Sequence, residues 1–155
     1  MVVLLEVYNI PIETGATRLA KISSVGELVW EKTVTEQAGG FIQAIATDGQ
    51  FMLVGNSFDS ISQKHTIVLH KVDSTGVLLW TKQIEHFSSL LAHNILATED
   101  GGFLIGGSIE IESITPFNNR YNDYYISKID TAGQIEWTAT NPKGGIEEEL
   151  GTVIE

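Results

Sequence analysis

One ten-residue pattern occurs three times in the chain, as KISSVGELVW at 21–30, KVDSTGVLLW at 71–80 and KIDTAGQIEW at 128–137. A second stretch repeats without gaps, Gln43–Ser57 matching Asn94–Ser108. The two patterns keep the same order, so the chain divides into three copies of one unit, about 1–50, 51–101 and 102–155. Self-similarity at this period marks stacked supersecondary units, none of which can bury its apolar face alone. The expected fold is therefore one element used three times along a single segment.

The unit reads as four short strands. In the second copy Gln50–Ser57 and Thr66–Asp73 are rich in Val, Ile, Leu and Phe, and the polar FDSISQKH between them suits a hairpin. In the repeated K-[IV]-[SD]-x-x-G-x-[LI]-x-W, Asp or Ser opens a tight turn. Gly26, Gly76 or Gly133 then supplies the positive φ that closes it. The strand that follows carries Trp30, Trp80 or Trp137. A fourth strand holds Gln43–Thr47 or Asn94–Thr98 and ends in an Asp-Gly turn leading to the next unit. No window shows helical periodicity, so the chain is expected to be all-β.

Four antiparallel strands in about 50 residues, with a Trp on one strand and an Asp-Gly turn between units, describe a β-propeller blade. The chain resembles the Kelch-like or quinoprotein-like bacterial propellers, whose repeats read D-G-G-[FY]-[IL]-[IV]-x-G, then an aromatic strand ending in K-[IL]-D, then G-x-I-x-W. The match is carried by Asp100–Gly107 (DGGFLIGG) and Asp123–Asp130 (DYYISKID), and it extends over essentially the whole chain. The first copy departs from the pattern, with Leu5 where the second has Gly55 and Ile22-Ser23 where the others have Val72-Asp73 or Ile129-Asp130. The resemblance implies four-stranded blades, three to the chain, and an extracellular or cell-surface setting. Since such propellers include enzymes, adhesins and scaffolds, it transfers no single function.

The phase of the repeat adds an expectation about assembly. The chain opens inside the strand equivalent to Phe51–Ser57, and Gly151–Glu155 corresponds to Asn94–Thr98. If the fourth strand of each unit is the innermost strand of the next blade, the first blade lacks its inner strand and the last residues offer a spare one. Propeller rings hold about four blades or more. An open arc of three would leave apolar faces in water at roughly 25 cal/mol per Å². The expected solution is a homodimer, two chains closing a six-bladed ring with two-fold symmetry and reciprocal strand exchange. The alternative is a piece of a larger propeller enzyme or surface protein whose active groups lie in other blades.

Composition excludes several classes of partner. With 43% hydrophobic residues in 155 the chain has enough apolar material for a folded core. A formal charge of -11 makes nucleic-acid phosphates and anionic membranes poor partners. There is no cysteine, hence no disulfide framework and no thiolate chemistry. The opening MVVLLEVY lacks the basic flank and cleavage site of a leader, and no run approaches the roughly 18 apolar residues of a membrane helix. No membrane insertion is expected.

The repeats differ in length at one place. Ser57 to Lys71 spans 14 positions and Ser108 to Lys128 spans 20, so six extra residues sit in the connection Ile109–Asp123. This loop brings Phe117, Asn118, Asn119, Arg120 and Tyr121, an aromatic and amide mixture suited to protein or carbohydrate contacts. The bland alternative is a tolerated surface insertion. Lys21, Lys71 and Lys128 recur at one position, which favours a structural pairing with a carboxylate or carbonyl of a neighbouring blade over a pocket used once. By the same logic Trp30, Trp80 and Trp137 are expected to pack between blades.

Reaction chemistry is hard to find. His65, His70, His86 and His93 are dispersed and match neither HExxH nor another compact metal pattern, and no D-x-[DN]-x-[DN]-G calcium loop occurs. Glu147-Glu148-Glu149 reads as a solvated connection. Gly55-Asn56-Ser57 and Gly106-Gly107-Ser108 lack the second glycine and the following helix of a nucleophile elbow. No phosphate-binding or dinucleotide fingerprint is present, so no cofactor is expected. Inner-strand positions repeat similar residues, Gln43 with Asn94 and Thr47 with Thr98, where an enzyme would converge unlike ones. The expectation is a non-enzymatic module that binds or scaffolds.

Overall fold

The computed structural model describes residues 2–9, 14–35, 41–47, 49–112 and 120–140, and among them every regular element is a β-strand. The first sheet contains β1 (Val2–Asn9), β2 (Thr14–Ile22) and β3 (Leu28–Thr35) in that order. The second runs β4 (Phe41–Thr47), β5 (Gln50–Asp59), β6 (Lys64–Val72) and β7 (Leu78–Ile84). The third runs β8 (Leu90–Ala97), β9 (Phe103–Glu112), β10 (Arg120–Ile129) and β11 (Ile135–Thr140). All neighbours are antiparallel. The chain is thus all-β, in three antiparallel sheets.

Sheets and sequence repeats are out of step by one strand. β4 closes the first repeat in sequence but pairs with β5, and β8 closes the second but pairs with β9. The hairpin read in FDSISQKH is tighter than that stretch implies. β5 continues to Asp59 and β6 starts at Lys64, leaving only Ser60–Gln63 as the turn.

Burial explains the unbroken apolar runs in the second sheet. A strand covered on one face alternates apolar and polar residues, whereas one covered on both faces is apolar throughout. Met52, Val54, Ile67 and Leu69 belong to a core shared with Ile105, Ile129 and Phe103 of the third sheet. The alternate residues Phe51, Leu53, Val68 and Val72 belong to a second core with Leu19 and Val34 of the first sheet. The second sheet is therefore the middle layer, and its period-2 alternation sorts side chains between two neighbours. The outer strand β7 keeps most of its positions exposed.

Each K-x-[SD] turn is built alike. Asp73 Oδ1 accepts from the N–H of Thr75 at 2.8 Å and of Val77 at 3.0 Å, while Gly76 N–H bonds back to the Asp73 carbonyl at 3.0 Å. Asp130 does the same for Ala132 and Gln134, and Ser23 Oγ replaces the carboxylate for Val25 and Glu27. Gly76 sits at φ +84°, a left-handed conformation that a side chain would strain. One residue beyond the turn a bulge leaves Val29, Leu79 or Glu136 without an opposite number. Lys21, Lys71 and Lys128 then stand directly across from Trp30, Trp80 and Trp137.

Candidate binding face

Cross-strand partners point to the same side of a sheet, so Lys71 and Trp80 act together against the next layer. Trp30 and Lys32 cover the turn of the second sheet: a Cβ added at Gly76 would lie 3.1 Å from Trp30 Cζ3 and 2.8 Å from Lys32 Cγ. Trp80 and Lys82 cover the turn of the third sheet, where a Cβ on Gly133 would meet Trp80 Cη2 at 2.6 Å and Lys82 Cδ at 3.2 Å. Lys82 Nζ stands 5.5 Å from the Trp80 ring centroid, within cation–π range. Lys71 crosses to the same turn and donates to the Thr131 carbonyl at 2.8 Å. A further tie comes from Asn56 on β5, whose amide accepts from Ala92 N–H at 2.7 Å and donates to the Ala92 carbonyl at 3.0 Å, pinning β8.

Equivalent residues do not have equivalent surroundings. Trp30 and Trp80 are half-buried, but Trp137 is 49% exposed. Lys128 does not cross to another sheet. Its ammonium is bound within its own sheet, 2.9 Å from Asp100 and 3.2 Å from Glu136. The hydrogen bond to Asp100 leads in raising the Lys128 pKa, and the Thr98 hydroxyl leads Lys128 in holding the Asp100 carboxyl well below its usual range.

The edge opposite these turns is assembled from connections whose residues differ from unit to unit. Asp59 rigidifies the β5–β6 turn by accepting from the N–H of Ile61 at 3.0 Å and from the Ser62 hydroxyl at 2.7 Å. Those bonds, the Ser62 hydroxyl first, lower the Asp59 pKa. Ile61 is left at the tip, 94% exposed. The neighbouring connection Glu85–Ser89 is anchored by Lys64 Nζ, which donates to the Phe87 carbonyl, and by Ser89, whose hydroxyl accepts from His65 N–H at 2.8 Å. Phe87 projects beside it, 80% exposed, with its ring 4.0 Å from that of His86. Phe58, also exposed, packs against His65 at 4.9 Å.

Between the two connections lies a cleft of about 400 Å³ lined by Ser62, Lys64, Phe87, Ser88, Ser89 and Glu110. Burial, and then the Lys64 charge, lower the His86 pKa. The ring Nδ1 accepts from Ser88 N–H at 3.1 Å, which places the proton on Nε2 as an outward donor. The cleft therefore combines one aromatic ring, a cation, a carboxylate and hydroxyls within one small patch. Among the described residues no group of three or more His, Cys, Asp or Glu side chains converges as a metal would need.

Of the candidate loop, Phe117, Asn118 and Asn119 lie outside the described residues. Arg120 and Tyr121 open β10, opposite Glu112 and Ile111, and Glu110 on the same strand pair lines the cleft. The loop thus springs from the edge that carries Phe87. Gly55-Asn56-Ser57 and Gly106-Gly107-Ser108 are strand interiors. Ser108 is 2% exposed and its hydroxyl is 3.4 Å from His93 Nε2, inaccessible to a substrate and long for an activated pair. His70 is 6% exposed and satisfied by Thr81 at 2.7 Å.

No family model and no curated protein matches this chain. Its own geometry is what bears on function. Reading the sequence by motif missed Phe58, Ile61, His86 and Phe87. The available signal was again a departure from the repeat, since, counted from Trp80 and Trp30, the second unit has His86-Phe87 where the first has Glu36-Gln37.

Proposed function

We infer that the chain is a non-enzymatic module of the β-propeller kind, Kelch-like or quinoprotein-like, whose three sheets are blades of a six-bladed ring completed by a second chain. Three features support this reading. The sheets repeat one antiparallel order, each later sheet begins with a strand from the preceding repeat, and those two strands lie side by side, β4 against β8, with β1, the register equivalent of β5, set against β4 as β5 is against β8. That is the relation inner strands hold around a propeller axis.

The ligand face in this reading is the edge bearing Phe58, Ile61 and Phe87. The observation that carries it is the exposure of Phe87 beside a cleft whose walls supply Lys64, Glu110 and several hydroxyls. Large exposed aromatics next to convergent polar groups are the usual composition of a recognition surface. A flat ring with flanking hydroxyl and carboxylate partners suits a saccharide, and a protein loop is the other class the patch would accept. Screening the intact protein and its Phe87→Ala variant on a glycan array tests this. Binding that the variant loses supports the face. Glycan binding that Phe87→Ala leaves unchanged would move the site elsewhere.

A further inference from the structure

Among the described residues the inter-sheet joint occurs twice, and its two halves occur once more without a partner there. In both internal joints a Trp stands over the turn glycine of the next sheet, the Trp half-buried and the glycine buried: Trp30 over Gly76, and Trp80 over Gly133. At the far face of the third sheet, Trp137 is 49% exposed. At the opposite face of the array, Gly26 is exposed, and a Cβ built on it would find nothing within 4 Å. Both halves are already shaped. Gly26 has φ +87°, against +84° and +74° at Gly76 and Gly133, with the same turn hydrogen bonds. Trp137 stands across from Lys128 after the same bulge that sets Trp80 across from Lys71.

The sheet faces behind these residues agree. Met52 and Leu69 are 1% and 0% exposed against the third sheet, whereas the residues at the same register positions of the third sheet, Leu104 (opposite Lys128 as Met52 is opposite Lys71) and Ile126, are only partly buried. On the first sheet Ile22 is half-exposed, whereas Val72 and Ile129 at the same repeat position are both at 0%. Each free face is thus an unfilled copy of a face that is filled elsewhere in the chain.

We propose that Trp137 of one copy seats on the Ser23–Gly26 turn of a second copy, forming between chains the joint that Trp30 and Trp80 form within one. The occupant is a second copy because one molecule carries both halves, so a single contact used twice fills both open faces. A partner of other chemistry would have to imitate a Trp-bearing sheet at one end and a glycine turn at the other. The inference rests on the two-chain ring and names the contact that holds it. Each chain carries -11, so long-range repulsion opposes the contact, and association tightens as salt screens it.

The test is sedimentation velocity on the full chain over a concentration and salt series, with Trp137→Ala alongside, its fold checked by circular dichroism. Trp137 is half-exposed in the protomer, so the variant should fold while association weakens by about a hundredfold or more, as for a central interface Trp. A second measurement uses the lack of native cysteine. In the internal joints the residue two beyond the Trp lies on the turn glycine, so Ala139→Cys in one copy should join Val25→Cys in another through a short bismaleimide. Ile61→Cys, on the other edge, should join neither. A two-chain particle that Trp137→Ala dissociates and that links 25 to 139 supports the joint. A two-chain particle indifferent to Trp137→Ala and unlinked overturns the joint but leaves the ring standing. Larger open assemblies that Trp137→Ala dissolves support the joint and overturn the two-chain ring. A particle of 17.0 kDa at every concentration and salt overturns both.

Discussion

Replacing Gly133 with Ala adds a single methyl group at the joint between the second and third sheets, and the cost can be worked out in two parts. The backbone sits at φ +74°, where an L side chain costs about 1–2 kcal/mol. The new Cβ would also lie 2.6 Å from Trp80 Cη2, well inside van der Waals contact. Lys82 can swing away but the rigid indole cannot, so overpacking adds about 1–3 kcal/mol. The total is about 2–5 kcal/mol. Gly101→Ala provides the reference for strain alone, since its φ is +84° and its nearest neighbour would be Thr131 Cγ2 at an ordinary 3.5 Å. Urea unfolding of Gly133→Ala, Gly101→Ala, Trp80→Ala and the Trp80→Ala/Gly133→Ala double variant, at one protein concentration, separates the parts. Trp80 is only half-buried, so its truncation should cost about 2–4 kcal/mol, toward the low side for a core aromatic. In its absence the Gly133 substitution should fall back to the Gly101 value, a coupling of about 1–3 kcal/mol. A Gly133→Ala cost equal to that of Gly101→Ala, or unchanged by removing Trp80, would refute the idea that the indole holds the two sheets together.

Three other outcomes are expected. Asn56→Leu removes both bonds to Ala92 and leaves a part-buried N–H and carbonyl unpaired, which should cost about 2–3 kcal/mol in the urea midpoint. Shortening the Ile109–Asp123 connection by six residues changes loop-closure entropy by well under about 1 kcal/mol; folding should survive while glycan or protein binding at the Phe87 edge is lost, as read by the same array. Asp100 has its pKa lowered from an ordinary 3.8 and Lys128 has its raised from 10.5, so their contribution is present between those values. It is lost as pH falls through the Asp100 value or rises through the Lys128 value, and thermal melts should show Asp100→Asn with a shallower acid-side decline than the parent.

The parts of the fold that were readable beforehand are those fixed by local geometry. Asp73, Gly76 and Trp80 sit at set distances in the chain because a side-chain acceptor, a positive φ and a bulge must follow one another within a few residues, and that order is visible in the letters. What a residue meets in the next layer is not local. Trp80 and Trp137 carry the same motif, yet one lies on a glycine turn and the other faces outward. Lys71 and Lys128 likewise share a position but bond a carbonyl on the next sheet and carboxylates on its own. The Phe87 edge escaped notice for a related reason, because its members come from two connections, 58–65 and 85–89, that are unremarkable separately and become a patch only when β6 and β8 lie together.

The one-strand offset between repeat and sheet bears on how the chain folds as it emerges from the ribosome. β4 is made as the tail of the first repeat, yet its hydrogen-bond partner β5 follows it, and β8 waits in the same way for β9. The first and second repeats are therefore each released with an unpaired strand at the trailing end, an open template for another nascent chain until the next hairpin arrives. Translation pauses after β4 or β8 would lengthen that exposure, whereas pauses after β7 would find the second sheet with all its described strands in hand. Synonymous codon changes that slow synthesis at these two places should thus affect soluble yield differently while encoding an identical protein.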